Sequence, residues 1–433
     1  MSATLTILPL PEKKIFFAGP MQNNKFDVRV KSPAGTSNLY INLYIHFFAA
    51  ATPILRSFPA VNHTTYYAAQ FDVNEIFEGT WRDIITRTGI DTGHFNFPGD
   101  PDFPLVDKSD WLLMLGFFNF SYSYSNGSGV MVEDGLTDNA ADPDHQFLVI
   151  NGGATNVMRA WLLSQEITLA DYFVNNKKFL TWMPASLSVH PRQPVKLYFF
   201  NPGTIQLRIN VKIHYTDGST RTSGIGGYND GTLLEVMSGI PNLRLGNFDI
   251  AKTIFKYEIW LQDAPGEYIT EKRTFIPDYT FYERNDIFLF RNSLGVFDVF
   301  WSHGQRSEKV NIEKSQSIHP LLEPSTRRGT IVQGRGSFYL NFESNTGFFS
   351  KPDRSWLMEF LTCNQAYFPS GYVIHPVLIN PGEFRLAEDR DDLFSVDYAW
   401  RVAHNERYHS AEPPVSSPFG DFNDDFNTDF FIS

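Results

Sequence analysis

The residues of this chain with the most chemical potential lie in an acidic stretch, Asp134 to His145, reading DGLTDNAADPDH. Oxygen-rich loops of this kind bind Ca²⁺, but the four aspartates do not fall at EF-hand spacing. A solvated loop is the expectation here, with cation binding as the alternative. The 11 histidines are scattered, and none forms a His-Glu-x-x-His pair. His404 and His409 flank Asn405-Glu406-Arg407 near an expected strand end, where an exposed position accounts for them. Cys363 is the single cysteine. One cysteine excludes an intramolecular disulfide and a multi-cysteine zinc site, and with no histidine nearby it reads as a core thiol. Ser223 to Gly227 and Gly334 to Gly336 lack the spacing and strand-to-helix setting of a phosphate loop, so loops are expected there. The carboxylates Asp391/Asp392 and Asp424/Asp425 are only sequence neighbours, whereas glycoside hydrolysis needs two facing carboxylates. No catalytic residue, metal ligand or cofactor is therefore assigned.

Aromatic residues are the other candidates. They make up 15% of the 433 residues, with 40 Phe and 19 Tyr, an excess that favours β-structure and large contact surfaces. In Phe117 to Tyr124 (FFNFSYSY), Phe118, Phe120, Tyr122 and Tyr124 share one face of a strand; core packing is the simplest use, and an interface or glycan-stacking surface the alternative. The last segment differs in kind. After Pro413-Pro414, Phe419, Phe422, Phe426, Phe430 and Phe431 recur among Asp, Asn and Ser, with no lysine or arginine after Arg407. So short a segment cannot bury enough apolar area to fold alone. It is expected to dock on a partner or a symmetry mate, or else to be a disordered tail.

The elements that position these residues read as mainly β: a multi-domain chain of antiparallel, sandwich-like domains with a few short helices. An N-terminal β-rich domain is expected over 1–165, a middle sandwich-like domain over 166–275, a C-terminal β-rich domain over 276–410 and the tail over 411–433. Phe26 to Val30 and Asn38 to Phe48 alternate apolar and polar residues around the turn cluster 32–37, which suggests a hairpin. A helix is expected near Thr80 to Thr88, and loops over 90–110 and 127–145. Lys196 to Phe200, Ile205 to Tyr215 and Phe255 to Leu261 read as strands of the middle domain, with a turn at Asp217-Gly218. In the third, Asp286 to Gly304 reads as a β-hairpin around Asn292-Ser293-Leu294-Gly295. Strands are expected over Ile331 to Phe342, Tyr372 to Ile379 and Leu393 to Val402, and a helix over 350–362. The net charge of −12 disfavours phosphate-backbone binding, and no apolar run approaches the ~18 residues of a membrane span. The N-terminus lacks a signal pattern, so synthesis in a reducing cytoplasm is expected.

The hairpin also carries a resemblance. Phe288-Leu-Phe-Arg-Asn-Ser-Leu-Gly-Val-Phe-Asp298 resembles a motif of structural proteins of phages and prophages of Bacteroidota. In that group a strand-rich stretch, a helix with a Trp and a strand ending in Tyr-x-Asn-Glu-x-Tyr follow. Trp356 and Tyr398 to Tyr408 (YAWRVAHNERY) are similar, as are Lys14 to Gly19 and Phe71 to Phe77. The resemblance spans about two thirds of the chain. It implies a non-enzymatic structural component of a virion, in the tail, tail tip or baseplate, made in the host cytoplasm. Its partners would be other virion proteins and copies of itself, with no nucleic acid. A carbohydrate- or receptor-binding protein at the virion tip is the alternative, and a glycan hydrolase ranks behind it. The Phe-rich tail is not part of the pattern.

Overall fold

The computed structural model describes residues 4–7, 14–18, 25–31, 37–48, 53–62, 67–73, 75–77, 105–109, 112–125, 128, 131–134, 136–137, 146–201, 205–249, 251–314, 316–318, 331–333, 337–370, 373–380 and 393–403. The chain is mainly β, in several largely antiparallel sheets with few short helices. The expected helix near Thr80 to Thr88, and all of the tail with Phe419, Phe422, Phe426, Phe430 and Phe431, lie outside the described residues.

Strands are numbered in chain order. The first unit has two sheets. One orders β1 (Thr4–Ile7), β3 (Lys25–Lys31), β7 (Tyr67–Asp72) and β6 (Val61–Asn62). The other orders β2 (Lys14–Phe17), β11 (Gln146–Ile150), β9 (Leu113–Ser125), β4 (Ser37–Phe47) and β5 (Ile54–Pro59), with β10 (Met131–Asp134) on β9. Leu39, Ile41, Leu43, Ile45 and Phe47 alternate inward along β4 and meet Val28, Val30 and Phe71 from the other sheet. The expected hairpin between 26–30 and 38–48 is thus corrected: β3 and β4 lie in opposite sheets. Each has one apolar face, and facing sheets bury both faces at once. Phe118, Phe120 and Tyr122 point into this core, so the aromatic strand is packed rather than displayed.

The middle unit pairs a five-stranded sheet with a three-stranded one. The first orders β12 (Ser186–Val189), β18 (Arg273–Pro277), β17 (Ile254–Asp263), β14 (Leu207–Tyr215) and β15 (Thr220–Asn229). The second orders β13 (Lys196–Phe200), β16 (Leu233–Met237) and β8 (Val106–Lys108). Leu207, Ile209, Val211, Ile213 and Tyr215 are all buried, with Asn210 the one polar position between them that is buried too. Two expected loops are corrected. Ser223 to Gly227 lies within β15, where Ser223, Gly224 and Ile225 pair with Val211, Asn210 and Ile209 of β14. Residues 106–108 form β8, which pairs Val106 with Val236. In both places a ladder supplies the backbone partners a loop would take from water. The buried Glu235 carboxylate fastens β8 in place: it accepts from Lys196 Nζ (2.7 Å), Ser109 Oγ (3.1 Å) and Tyr198 OH (3.2 Å).

The third unit is built on a seven-stranded sheet, ordered β20 (Phe297–Ser302), β19 (Asp286–Arg291), β26 (Ala366–Ser370), β27 (Val373–Asn380), β29 (Asp397–Val402), β24 (Ser337–Asn345) and β21 (Arg306–Glu313). Two short ladders join β22 (Gln316–Ile318) to β23 (Ile331–Gln333), and β25 (Phe349–Ser350) to β28 (Leu393–Phe394). The runs 331–342 and 393–402, each expected as one strand, are therefore split between sheets. In the second, Thr346 interrupts the strand: its N–H donates to Val396 O and its Oγ1 accepts from Val396 N, both at 2.9 Å. Phe394, Val396, Tyr398 and Trp400 stay buried across the break, so the alternation survives although the ladder does not.

The described residues also include the helices α1 (Asn156–Ser164), α2 (Leu169–Asn175), α3 (Ile240–Leu243) and α4 (Arg354–Leu361). Helix α4 occupies the expected place, after a capping box between Ser350 and Asp353. Its Trp356, Leu357, Phe360 and Leu361 are all buried, each contributing about 1.5–3 kcal/mol of apolar transfer. They belong to one core cluster that runs from β14 of the middle unit to Trp400 of the third.

The hairpin of β19 and β20 joins all three units. Its turn closes through Gly295 N–H to Asn292 O (3.0 Å) and Asn292 N–H to Val296 O (2.9 Å), with Gly295 at φ +89°. Asn292 Oδ1 accepts from Leu294 N and Val296 N, while Asn292 Nδ2 donates to Leu180 O. Ser293 O accepts from Gly153 N (2.6 Å), Ser293 Oγ accepts from Trp182 Nε1 (2.8 Å), and Ser293 N donates to Glu359 of α4. Leu294 and Val296 are fully buried in a cluster with Phe17, Ile150, Tyr198 and Leu233. Gly152 approaches so closely that a Cβ there would strike the Leu294 carbonyl.

Asp298, three residues past the turn, is completely buried and accepts from Thr181 Oγ1 at 2.9 Å. Burial pushes its carboxyl up to about 7. A folded-state value above the unfolded one makes folding favour the protonated acid, so stability present at low pH is lost as pH rises from about 4 to about 7. Denaturant unfolding of Asp298→Asn across that window should show a flatter pH profile than the parent chain. A residual slope from Glu359 and Asp286, which burial also raises, should remain.

Candidate functional site

A cleft of about 950 Å³ opens on the third unit, lined by Tyr282, His303, Asn345, Phe348, Asn380 and Asp397 among others. Strand pairing explains the grouping. Asn345 lies opposite Asp397, Glu343 opposite Ala399, and Asn380 of β27 also opposite Ala399. Residues directly opposite in an antiparallel ladder share a face, so Glu343, Asn345, Asn380 and Asp397 project from one side of the sheet. Asn345 organises the group. Its Nδ2 donates to Asp397 Oδ1 (2.7 Å) and its Oδ1 accepts from Gly347 N (2.8 Å), which shapes the turn that carries Phe348. The Phe348 ring is 71% exposed at the rim.

The wall of the cleft is an aromatic and titratable cluster. Gly347 sits at φ +82°, and a Cβ there would run into the His303 ring. The His303 and Tyr282 rings are 4.3 Å apart between centroids, and Tyr282 OH donates to Asp278 Oδ2 at 2.7 Å. Behind them His190 stacks on Trp301 at 5.2 Å. Burial pulls both histidines below their ordinary range, and the Asp278 charge opposes that only in part. Burial, with the hydrogen bond to Asp278, pushes Tyr282 up to about 12. Asp278 itself is raised by burial, but hydrogen bonds from Thr280 and Tyr282 outweigh this and hold it below the usual carboxylate range. At neutral pH this wall is uncharged imidazole and phenol beside a carboxylate.

Amides, carboxylates and a hydroxyl beside exposed rings suit a polar ligand that offers several hydroxyls and an apolar face. Glu343 and Asp397 are two carboxylates in one cleft, at diagonal positions of neighbouring strands, where Cα atoms stand roughly 7–8 Å apart. Both are exposed, and Glu343 is ion-paired with Lys309.

The residues singled out in the sequence lie elsewhere. Met131–Asp134, expected as loop, is strand β10, and Glu133 on it accepts from Tyr44, Ser121 and Asn42. Most of the remaining Asp134 to His145 stretch, with His404, His409, Gly334 to Gly336 and both aspartate pairs, falls outside the described residues. Cys363 is half-buried, and burial pushes its thiol up to about 12, which keeps it protonated. Among the described residues no three of His, Cys, Asp and Glu are grouped to hold a metal, and no helix is long and apolar enough to cross a membrane. The cleft was not read from the sequence. Asn345-Thr346-Gly347 is a turn signal, but the neighbours it gathers stand between 35 and 63 residues away along the chain.

No protein-family model matches the chain, and no characterised protein matches it by sequence. Among solved structures it is similar to dimeric latent PorU from Porphyromonas gingivalis, at 10% identity and a TM-score of 0.16, over 79% of this chain and 32% of that one. It is also similar to the full extracellular region of plexin A4, at 7% identity and a TM-score of 0.17, over 94% of this chain and 34% of that one. The chain spans about a third of the length of each.

The Gly347 contact makes a direct test of the cleft wall. Gly347→Ala should displace the His303 ring and cost about 1–3 kcal/mol in denaturant unfolding. Gly218→Ala, at a φ of +81° where a Cβ meets open space, is the matched control and should cost less.

Proposed function

We propose that this chain is a structural component of a phage virion, in the tail or tail tip, that works through protein–protein assembly. The observation that supports the reading best is the hairpin turn at 292–295. It accepts hydrogen bonds from Gly153 and Trp182 and donates to Leu180 and Glu359, and so ties elements of the three units together. The same residues carry the resemblance to phage structural proteins. In this reading the acidic tail, with Phe419, Phe422, Phe426, Phe430 and Phe431, clips onto a neighbouring virion protein or another copy. Deleting 411–433 should leave the thermal unfolding of the body unchanged and weaken incorporation into particles. Particles that assemble normally without the segment would remove the clip from the reading. Cryo-electron microscopy of intact particles tests the assignment as a whole: copies in a ring at the tail end support it, and absence from the particle rejects it.

The cleft favours a second reading, recognition of a surface glycan or receptor at the virion tip. Phe348 would stack on a sugar ring while Asp397 and Asn380 take its hydroxyls. On a glycan array Phe348→Ala should lower the signal of any bound sugar about tenfold, in line with a loss of 1–2 kcal/mol. An array without binders dismisses this reading and leaves the assembly reading standing.

A further inference from the structure

The seven-stranded sheet ends differently on its two sides. Its β20 edge is buried along all six residues, whereas along β21 every residue after Arg306 is exposed. Among the described residues β21 pairs only with β24, and no other described strand covers its outer row of N–H and C=O groups. Such an edge is a template for another strand. Val310 and Ile312, 54% and 62% exposed, add apolar surface to it.

We infer that β21 pairs antiparallel with β21 of a second copy, with Asn311 on the two-fold axis. The order of side chains selects this register. With Asn311 opposite itself, Val310 faces Ile312 and Glu308 faces Lys314 on one side of the sheet. On the other side Lys309 faces Glu313. Two-fold symmetry doubles each pair, so the contact holds two apolar pairs and four opposite-charge pairs, with no like-charge pair among residues 308–314. Centring on Lys309 sets Lys309 against itself. Centring on Val310 sets Arg306 against Lys314 and Glu308 against Ile312. Centring on Ile312 sets Val310 against Lys314. Only the Asn311 register matches both faces. Because each sheet offers one open edge, the contact closes on itself as a dimer and does not propagate into a fibre. Lys309 already pairs with Glu343 of its own chain, an exposed contact that leaves its side chain within reach of a facing strand. The inference deepens the assembly reading by naming the surface for a second copy, and it rests on self-association alone.

Light scattering with size exclusion on the full chain should give a dimer that dissociates on dilution. Glu313→Lys should weaken it about tenfold by setting two lysines against two lysines, and adding Lys309→Glu should restore it. Cysteine crosslinking reads the register. Cα atoms of directly opposed residues stand roughly 4.5–5.5 Å apart, within disulfide reach. Asn311→Cys should therefore crosslink under mild oxidant, whereas Val310→Cys and Lys309→Cys should not. The native Cys363 thiol does not compete, being half-buried and protonated. A monomer at every concentration overturns the proposal. A dimer that ignores the charge changes, or that crosslinks through position 309 or 310, overturns the surface or the register. A particle that lacks this protein would reject the virion reading without touching the dimer.

Discussion

The structure depends on satisfying a polar turn inside an apolar core. A four-residue reversal exposes backbone N–H and C=O groups by its geometry, and leaving one buried and unpaired costs roughly 1–3 kcal/mol. Turns escape this cost at the surface. The turn at Asn292 to Gly295 buries Asn292, Leu294 and Gly295 and leaves Ser293 exposed, and its groups are met by partners far apart in the chain: Gly153, Leu180, Trp182 and Glu359. Each bond constrains a different element, so the sheets cannot shift against one another without stranding a buried group. The Leu294 side chain and the bare Gly152 backbone bring the same elements into contact sterically.

Two further polar devices repeat the principle. Glu235 gathers Lys196, Tyr198 and Ser109 within the three-stranded sheet and so fixes the short β8, whose flanking chain belongs to the first unit. Asp298 does similar work with Thr181 beside the turn. A buried ion pair adds little net stability over apolar packing, but removing one partner is costly. Such groups select one arrangement of sheets over others of similar apolar content.

The surface follows from where these constraints end. The break at Thr346 lets β24 and β29 run side by side while Phe348 swings outward, and the cleft is the space this leaves. At the far side of the sheet β21 is held, among the described residues, by β24 alone.

How much of this was legible in the sequence depends on the range of the signal. Strand periodicity is local, so Leu207 to Tyr215, the hairpin at 286–304 and the apolar face of α4 could be read from neighbouring residues. Helices α1 and α2 carry local signals as well, Thr155 as a cap and the Thr168-x-x-Asp171 capping box. Partner choice is not local. That β3 and β4 face each other across a core, that 106–108 crosses to the middle unit, and that Ser223 to Gly227 sits in a ladder are set by contacts many residues apart. The cleft belongs to the same class, since Tyr282, His303, Asn345 and Asp397 become neighbours only when the strands register. The sequence by itself determined which faces must be buried, because alternation is a property of adjacent residues. The tertiary structure decided which buried faces meet, because that choice rests on satisfying a few polar groups whose partners no local pattern reveals.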